Sequence, residues 1–169
     1  MTEEPVDVLI IGAGASGAAV AYGLAETRMH IVCIEQGDWM KQSEYPTNFM
    51  DWEARAAGPF GHSPNHRGRA TDYPINEDES PIKVANFNGV GGGTILYAGH
   101  FPRFHPSDFR VKTLDGVADD WPIDYDTLAP FYDESDRVTG VSGLEGDPAY
   151  PPKPSLMPPL PLGPVSYKH

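Results

Sequence analysis

Val6-Asp-Val-Leu-Ile-Ile-Gly-Ala-Gly-Ala-Ser-Gly17 decides the fold of this chain. Its first six residues, Val6 to Ile11, read as a short apolar strand that runs directly into Gly12-x-Gly14-x-x-Gly17. A helix of small residues is expected from about Ala15 to Thr27. A second apolar strand, His30-Ile-Val-Cys-Ile34, then ends in Glu35. Strand, glycine turn, helix, strand and acid in this order form the βαβ arrangement that grips a dinucleotide. Gly12 permits the tight turn, Gly14 lets the backbone approach a pyrophosphate, and Gly17 lets the helix pack close against the sheet. The free N–H groups at the helix N-terminus suit the phosphates. The expected phosphate grip is therefore Gly12, Ala13, Gly14, Ala15, Ser16 and Gly17, with Glu35 and its neighbour Gln36 at the ribose. A glycine-rich turn in an unrelated α/β unit is the competing reading, and the flanking elements and the acid at the expected distance argue against it.

The bulk numbers narrow the function classes. At 169 residues the chain has the size of one ordinary domain. Its formal net charge of -12, from 24 acidic and 12 basic residues without a basic cluster, makes nucleic acid and anionic membranes poor partners. One cysteine, Cys33, rules out an internal disulfide or a multi-cysteine metal site, and its apolar strand predicts a buried, inert thiol. The acidic start, Met1 to Pro5, leads straight into the first strand without a signal peptide, and no apolar stretch is long enough to cross a bilayer. The expectation is a cytoplasmic protein, with export alongside a partner subunit as the alternative.

After Glu35 the pattern loses its period. Gly37 to Asn86 is rich in Gly, Pro, Asn and aromatic residues and reads as an extended arm around a cofactor. A second glycine cluster follows, Asn88-Gly-Val-Gly-Gly-Gly-Thr94. Three consecutive glycines leave no side chain to pack, which a fold tolerates where backbone passes close to something flat or bulky. A flexible loop is the plainer reading. Two glycine turns in one chain, one for phosphates and one for a ring, point to a large dinucleotide such as FAD. A helix is expected from about Thr127 to Val138, capped by Asp126 and stopped at Gly140. Its buried stripe would be Leu128, Phe131, Tyr132 and Val138, with Asp133 and Glu134 facing solvent. Eight prolines between 148 and 164 exclude a helix or central strand there and predict an irregular strap. Pro151 to Pro154 has the spacing of an SH3-type ligand, a pattern that composition alone also produces.

Four blocks in this order resemble the glucose–methanol–choline (GMC) oxidoreductases. They are Asp7 to Ala18 with Glu35, Gly89-Val-Gly-Gly-Gly-Thr94, Pro102-Arg-Phe-His-Pro-Ser-Asp-Phe109, and Trp121-Pro-Ile-Asp-Tyr-Asp-Thr-Leu-Ala-Pro-Phe-Tyr132. Val138 to Gly143 and the proline strap continue the likeness, which is strongest to the bacterial branch of gluconate, sorbitol and related sugar dehydrogenase flavoprotein subunits. The resemblance implies that Gly91, Gly92, Gly93 and Thr94 lie against a flavin, with Asn88 beside them as a further cofactor-binding residue. It also implies non-covalent FAD, because Leu96 stands where some members attach the flavin to histidine. The family's catalytic histidine lies near the far end of a much longer chain, so no residue here matches it. The chain looks like the N-terminal part of an alcohol- or sugar-oxidising enzyme and is expected to be inactive alone. Its electron acceptor would be oxygen, a quinone or a cytochrome subunit.

Other constellations carry less. His62 and His66 have the i, i+4 spacing of a metal pair, but Pro64 between them argues against a helix and no third ligand is evident. His100 and His105 follow the second glycine turn closely enough to approach a ring, with structural hydrogen bonding as the alternative. Asp119-Asp120 imitates a carboxylate pair beside a Trp-Pro turn, where solvation or capping is the simpler role. The expected architecture is α/β: a Rossmann-like FAD-binding domain with an incomplete sheet over residues 1–147, then a Pro-rich strap over 148–169. A stand-alone nucleotide-binding module with a partner-recruiting proline tail is the alternative. A third reading is an NAD-dependent enzyme, since an acid such as Glu35 serves either ribose.

Overall fold

Val8–Ile11 forms strand β1, Ala15–Leu24 helix α1 and Ile31–Ile34 strand β2. The computed structural model describes residues 5–41, 61–83, 85–97 and 99–161. β1 and β2 pair in parallel, with Val8 opposite Ile31 and Ile11 opposite Ile34. A parallel pair needs a crossover, and α1 supplies it. Asp7 fixes the entry to the pair, since its carboxylate accepts the His30 N–H at 2.7 Å.

The chain divides into two compact units, Met1–Ala98 and Gly99–His169. In the first, Ile10, Met40 and Phe87 are buried, whereas Leu9 and Ile11 on β1 are exposed. An all-parallel sheet is normally covered on both faces, so two strands alone leave apolar side chains open. Cys33, expected to be buried, is exposed for the same reason. α2, Pro64–Arg67, is a single turn begun by its proline. Pro64 argues against a helix in the sequence, but at the first helical position the missing N–H costs nothing.

The second unit packs a 3₁₀ turn, Pro106–Arg110, the short helix α3, Val111–Asp115, and the longer α4, Tyr125–Thr139. α4 begins two residues before the expected start. Its cap is Asp124 rather than Asp126, and the Asp124 carboxylate accepts the Thr127 N–H at 2.8 Å. Gly140 ends it in the left-handed conformation, as expected. The buried stripe differs from the expected one. Tyr125 and Asp136 are buried, Phe131 and Val138 are exposed, and Leu128 and Tyr132 are half-buried.

Arg103 explains the shift of the stripe. Its Nε donates to Asp136 at 3.0 Å, its Nη2 reaches both Asp136 and Asp133, and its Nη1 meets the Tyr125 hydroxyl at 3.4 Å. Asp133 therefore turns inward instead of facing solvent. Phe109, 2 % exposed, packs edge-on against Phe104 and Trp121 beside this cluster. The proline strap lies along the segment after α4, where Met157 N–H donates to Val141 and Gly143 N–H to Met157. Among the described residues it contains no helix or extended strand.

Candidate nucleotide-binding site

The first glycine turn sits at the C-terminal ends of β1 and β2, where ligands of open α/β sheets bind. Gly12 takes φ +95°, a conformation that suits glycine, while its N–H donates to Ile34 at 2.8 Å. A Cβ on Gly17 would stand 1.9 Å from the Gly12 carbonyl oxygen and 3.2 Å from Ile10, so only glycine lets α1 start this close to β1. Gly14 is different: a Cβ there meets nothing within 4 Å, so the fold itself does not require glycine at this position.

α1 has no side-chain cap at Gly14, and its first intrahelical donor is Ala18, bonded to Gly14 at 2.9 Å. The N–H groups of Ala15, Ser16 and Gly17 thus precede the first helical bond, and the helix dipole favours negative charge beside them.

Glu35 closes the other side. Its Oε2 accepts the Ala13 N–H at 2.7 Å and its Oε1 the Gly37 N–H at 2.9 Å. The Gly37 N–H above all, with those of Ala13 and Gln36, holds the carboxyl below the ordinary value of 4.5 against partial desolvation. An ionised carboxylate has about four acceptor positions, so these backbone N–H groups leave room for a hydroxyl donor. Glu35 thus braces the glycine turn, which the sequence alone does not announce.

The second glycine cluster folds onto the first. Gly91 N–H donates to the Ala13 carbonyl at 2.8 Å, and a Cβ on Gly92 would lie 3.3 Å from the Gly14 Cα. Val90 N–H donates to Asp38 at 3.2 Å, and a Cβ on Gly37 would collide with Gly89 N at 2.1 Å. Glycines on both runs are what allow backbone to meet backbone here. Gly92–Ile95 is a 3₁₀ turn that contains Gly93 and Thr94 and ends at Leu96. The Thr94 hydroxyl is used internally, on the Gly91 carbonyl.

A cleft of about 410 Å³ opens between the two glycine turns, lined among others by Gly12, Glu35, Gln36, Phe87, Asn88 and Gly92. The first unit thus brings candidates from three separate stretches, Gly12, Glu35 with Gln36, and Asn88 with Gly92, to one cleft. Asn88, 6 % exposed, carries an amide Nδ2 with no hydrogen-bond partner. A buried donor without an acceptor is costly, and a ligand oxygen would satisfy it. The open space at Gly14, the uncapped helix start, the braced carboxylate and this amide together fit a nucleotide with phosphates and a ribose.

The other candidates settle into ordinary roles. No group of three metal-binding side chains occurs among the described residues, His62 and His66 included. His105 Nδ1 bonds the Ala149 carbonyl at 2.9 Å and its ring stacks on Tyr150, a structural use. Asp120 accepts from the Thr113 hydroxyl and N–H, which hold its carboxyl low, and it lies 3.7 Å from the Arg110 guanidinium. No helix among the described residues is long and apolar enough to cross a membrane.

Comparison with known proteins agrees with this geometry. Residues 10–68 match the NAD(P)-binding Rossmann-like domain. The chain is 43% identical over 150 residues to a 2-methyl-1,2-propanediol dehydrogenase of Mycolicibacterium austroafricanum, covering 88% of this chain and 27% of that protein. It is 26% identical to the fructose dehydrogenase large subunit of Gluconobacter japonicus, over 95% of this chain and 32% of that one. It is 32% identical to the paromamine 6'-oxidase of Streptomyces fradiae, over 86% and 26% respectively. The class is thus a nucleotide-binding Rossmann-like unit, with a flavin or nucleotide as its cofactor. The chain's homologues are GMC-type oxidoreductases, matched over their N-terminal part, and it spans about a third or less of their length.

Proposed function

We propose that this chain binds FAD non-covalently and serves an oxidoreductase that acts on the CH–OH group of an alcohol or sugar. The observation that carries the reading is the contact of the two glycine turns, Gly91 N–H on the Ala13 carbonyl, above a cleft walled by Glu35. One turn suits a pyrophosphate, and the second offers bare backbone to the flatter half of a dinucleotide. An NAD site needs only the first. The dehydrogenase and oxidase names of the relatives support the CH–OH donor class, and the "large subunit" and "flavoprotein" names support a partner that takes the electrons.

In this reading FAD supplies the hydride acceptor, and the chain supplies position and charge. The N–H groups of Ala15, Ser16 and Gly17 offset the phosphate charge. Glu35 orients the ribose through its remaining room for a hydroxyl donor. Gly91 to Thr94 flank the ring as backbone. Leu96 has no nucleophilic atom to bond it. None of the candidate residues is a catalytic base, and the base is assigned to the part of the GMC enzymes that lies beyond the matched region. The test is to denature the flavin-loaded protein with acid and to separate polypeptide from supernatant. All yellow colour should leave with the supernatant. Colour retained on the polypeptide would overturn the non-covalent assignment, and protein that never acquires flavin would overturn the reading itself.

A further inference from the structure

Arg67 closes α2 far from either glycine turn in sequence, yet its side chain is 1% exposed. Its guanidinium lies 4.2 Å from the centre of the Phe87 ring. Nε donates to Asp72 Oδ2 at 3.0 Å, and Nη2 reaches both Asp72 Oδ1 and, at 3.1 Å, the Asn88 carbonyl. Asp72, itself 3% exposed, is fixed from a second side by the Arg69 N–H at 3.0 Å. The Arg67 hydrogen bond, more than any other influence, holds the Asp72 carboxyl below its ordinary range. The pair is thus a rigid, charged anchor whose one outward bond goes to the backbone of the residue that opens the second glycine turn.

Two donors at this anchor have no acceptor: Arg67 Nη1 and Asn88 Nδ2, both buried. The Asn88 side chain also helps to hold the Asp72 carboxyl low, which places its amide beside that carboxylate, although no full hydrogen bond joins the two. Burying one unpaired donor is unfavourable, and here two such donors lie on adjoining side chains. Asn88 also lines the cleft that holds Gly12, Glu35 and Gly92.

We propose that Arg67, braced by Asp72 and Phe87, is a positioning residue that presents the Asn88 amide to an acceptor oxygen of the bound nucleotide. The inference rests on the nucleotide reading and adds to it a residue outside both glycine turns. Arg67 acts through Asn88: without the Nη2 bond to the Asn88 carbonyl, the amide loses its fixed direction and the start of the Gly89 to Gly93 run is released.

The test is a double-mutant cycle on nucleotide affinity, with FAD, ADP and adenosine as probes. Asn88→Ala removes the presented donor and leaves the Arg67–Asp72 pair intact, and it should weaken FAD and ADP binding about tenfold. Arg67→Met should weaken them by a similar factor, and the double variant should be no weaker than Asn88→Ala by more than about twofold. Arg67→Lys, which keeps the charge beside Asp72 but lacks the fork that reaches Asn88, should behave as Arg67→Met in binding while restoring the melting temperature. Adenosine separates the two oxygen sources. Affinity unchanged by Asn88→Ala assigns the acceptor to a phosphate, and a parallel tenfold loss assigns it to the ribose. Losses that multiply to about a hundredfold in the double variant would overturn the proposal, because Arg67 would then act independently of Asn88. Wild-type affinity in Asn88→Ala overturns it without needing any Arg67 variant to fold. A wild-type protein that binds none of the probes would fail the nucleotide reading instead.

Discussion

Adding one methyl group at Gly17 should destabilise the fold, whereas the same change at Gly14 should leave it nearly intact. A Cβ on Gly17 falls 1.9 Å from the Gly12 oxygen, against a lower limit near 3.0 Å for real contacts, so α1 must retreat by about 1.1 Å, the difference between the two. Overpacking of this kind costs about 1–3 kcal/mol, and the retreat carries the Ala15 and Ser16 N–H groups with it. A Cβ on Gly14 meets no atom within 4 Å, and the backbone there, φ -77° and ψ -169°, is open to alanine. Replacing an N-cap glycine should cost no more than about 1 kcal/mol. The same methyl occupies the space through which a pyrophosphate must approach. Losing one hydrogen bond to a charged oxygen is worth about 1.5–3 kcal/mol, or roughly 10- to 150-fold in affinity. Thermal melting and isothermal titration with FAD read the two effects separately. Gly14→Ala should melt close to wild type and bind at least tenfold more weakly, whereas Gly17→Ala should lose both. Wild-type affinity in Gly14→Ala would refute the claim that phosphates pass over Gly14.

Two further outcomes follow from the buried and ionised groups. Asp136, 2 % exposed, takes two bonds from Arg103, so Asp136→Ala leaves the buried guanidinium with the partly exposed Asp133 as the survivor of its two ion pairs. The expected loss is about 3–5 kcal/mol in urea unfolding, and a loss under 1 kcal/mol would show that the cluster is solvated. Glu35 and Asp72 have folded pKa values below their ordinary 4.5 and 3.8. Their contribution to stability is therefore complete above those ordinary values and is lost as pH falls through the lowered folded ones. Acid titration of the melting temperature should show a decline below about pH 4.5 that is shallower in Glu35→Gln, and an identical slope in that variant would remove Glu35 from the account.

Much of the first unit was legible because its constraints are local. Gly12, Gly14 and Gly17 announce a turn that only those spacings build, and the β-branched runs on either side name their strands. The second glycine cluster was legible as a close approach of backbone, but its partner was not. Nothing local says that Gly91 seeks the Ala13 carbonyl across 78 residues of chain. Arg67 and Asp72 escaped notice for the same reason, since their value lies in reaching Asn88. α4 shows the opposite failure. Tyr125, Leu128, Tyr132 and Asp136 share one helical face, and an acid on an otherwise apolar stripe is a signal for a buried cation. Reading the stripe by hydrophobicity alone selected Phe131 and Val138, which the structure leaves exposed. Cys33 was misjudged because an apolar strand was assumed to have both faces covered.

The central claim, that two touching glycine turns select a flavin dinucleotide, is tested most directly by titrating the purified protein with FAD and with NAD in parallel. The account predicts that FAD binds at least tenfold more tightly than NAD and is released intact on denaturation. Equal affinity for the two, or preference for NAD, would contradict it, because the second turn would then contribute nothing to recognition.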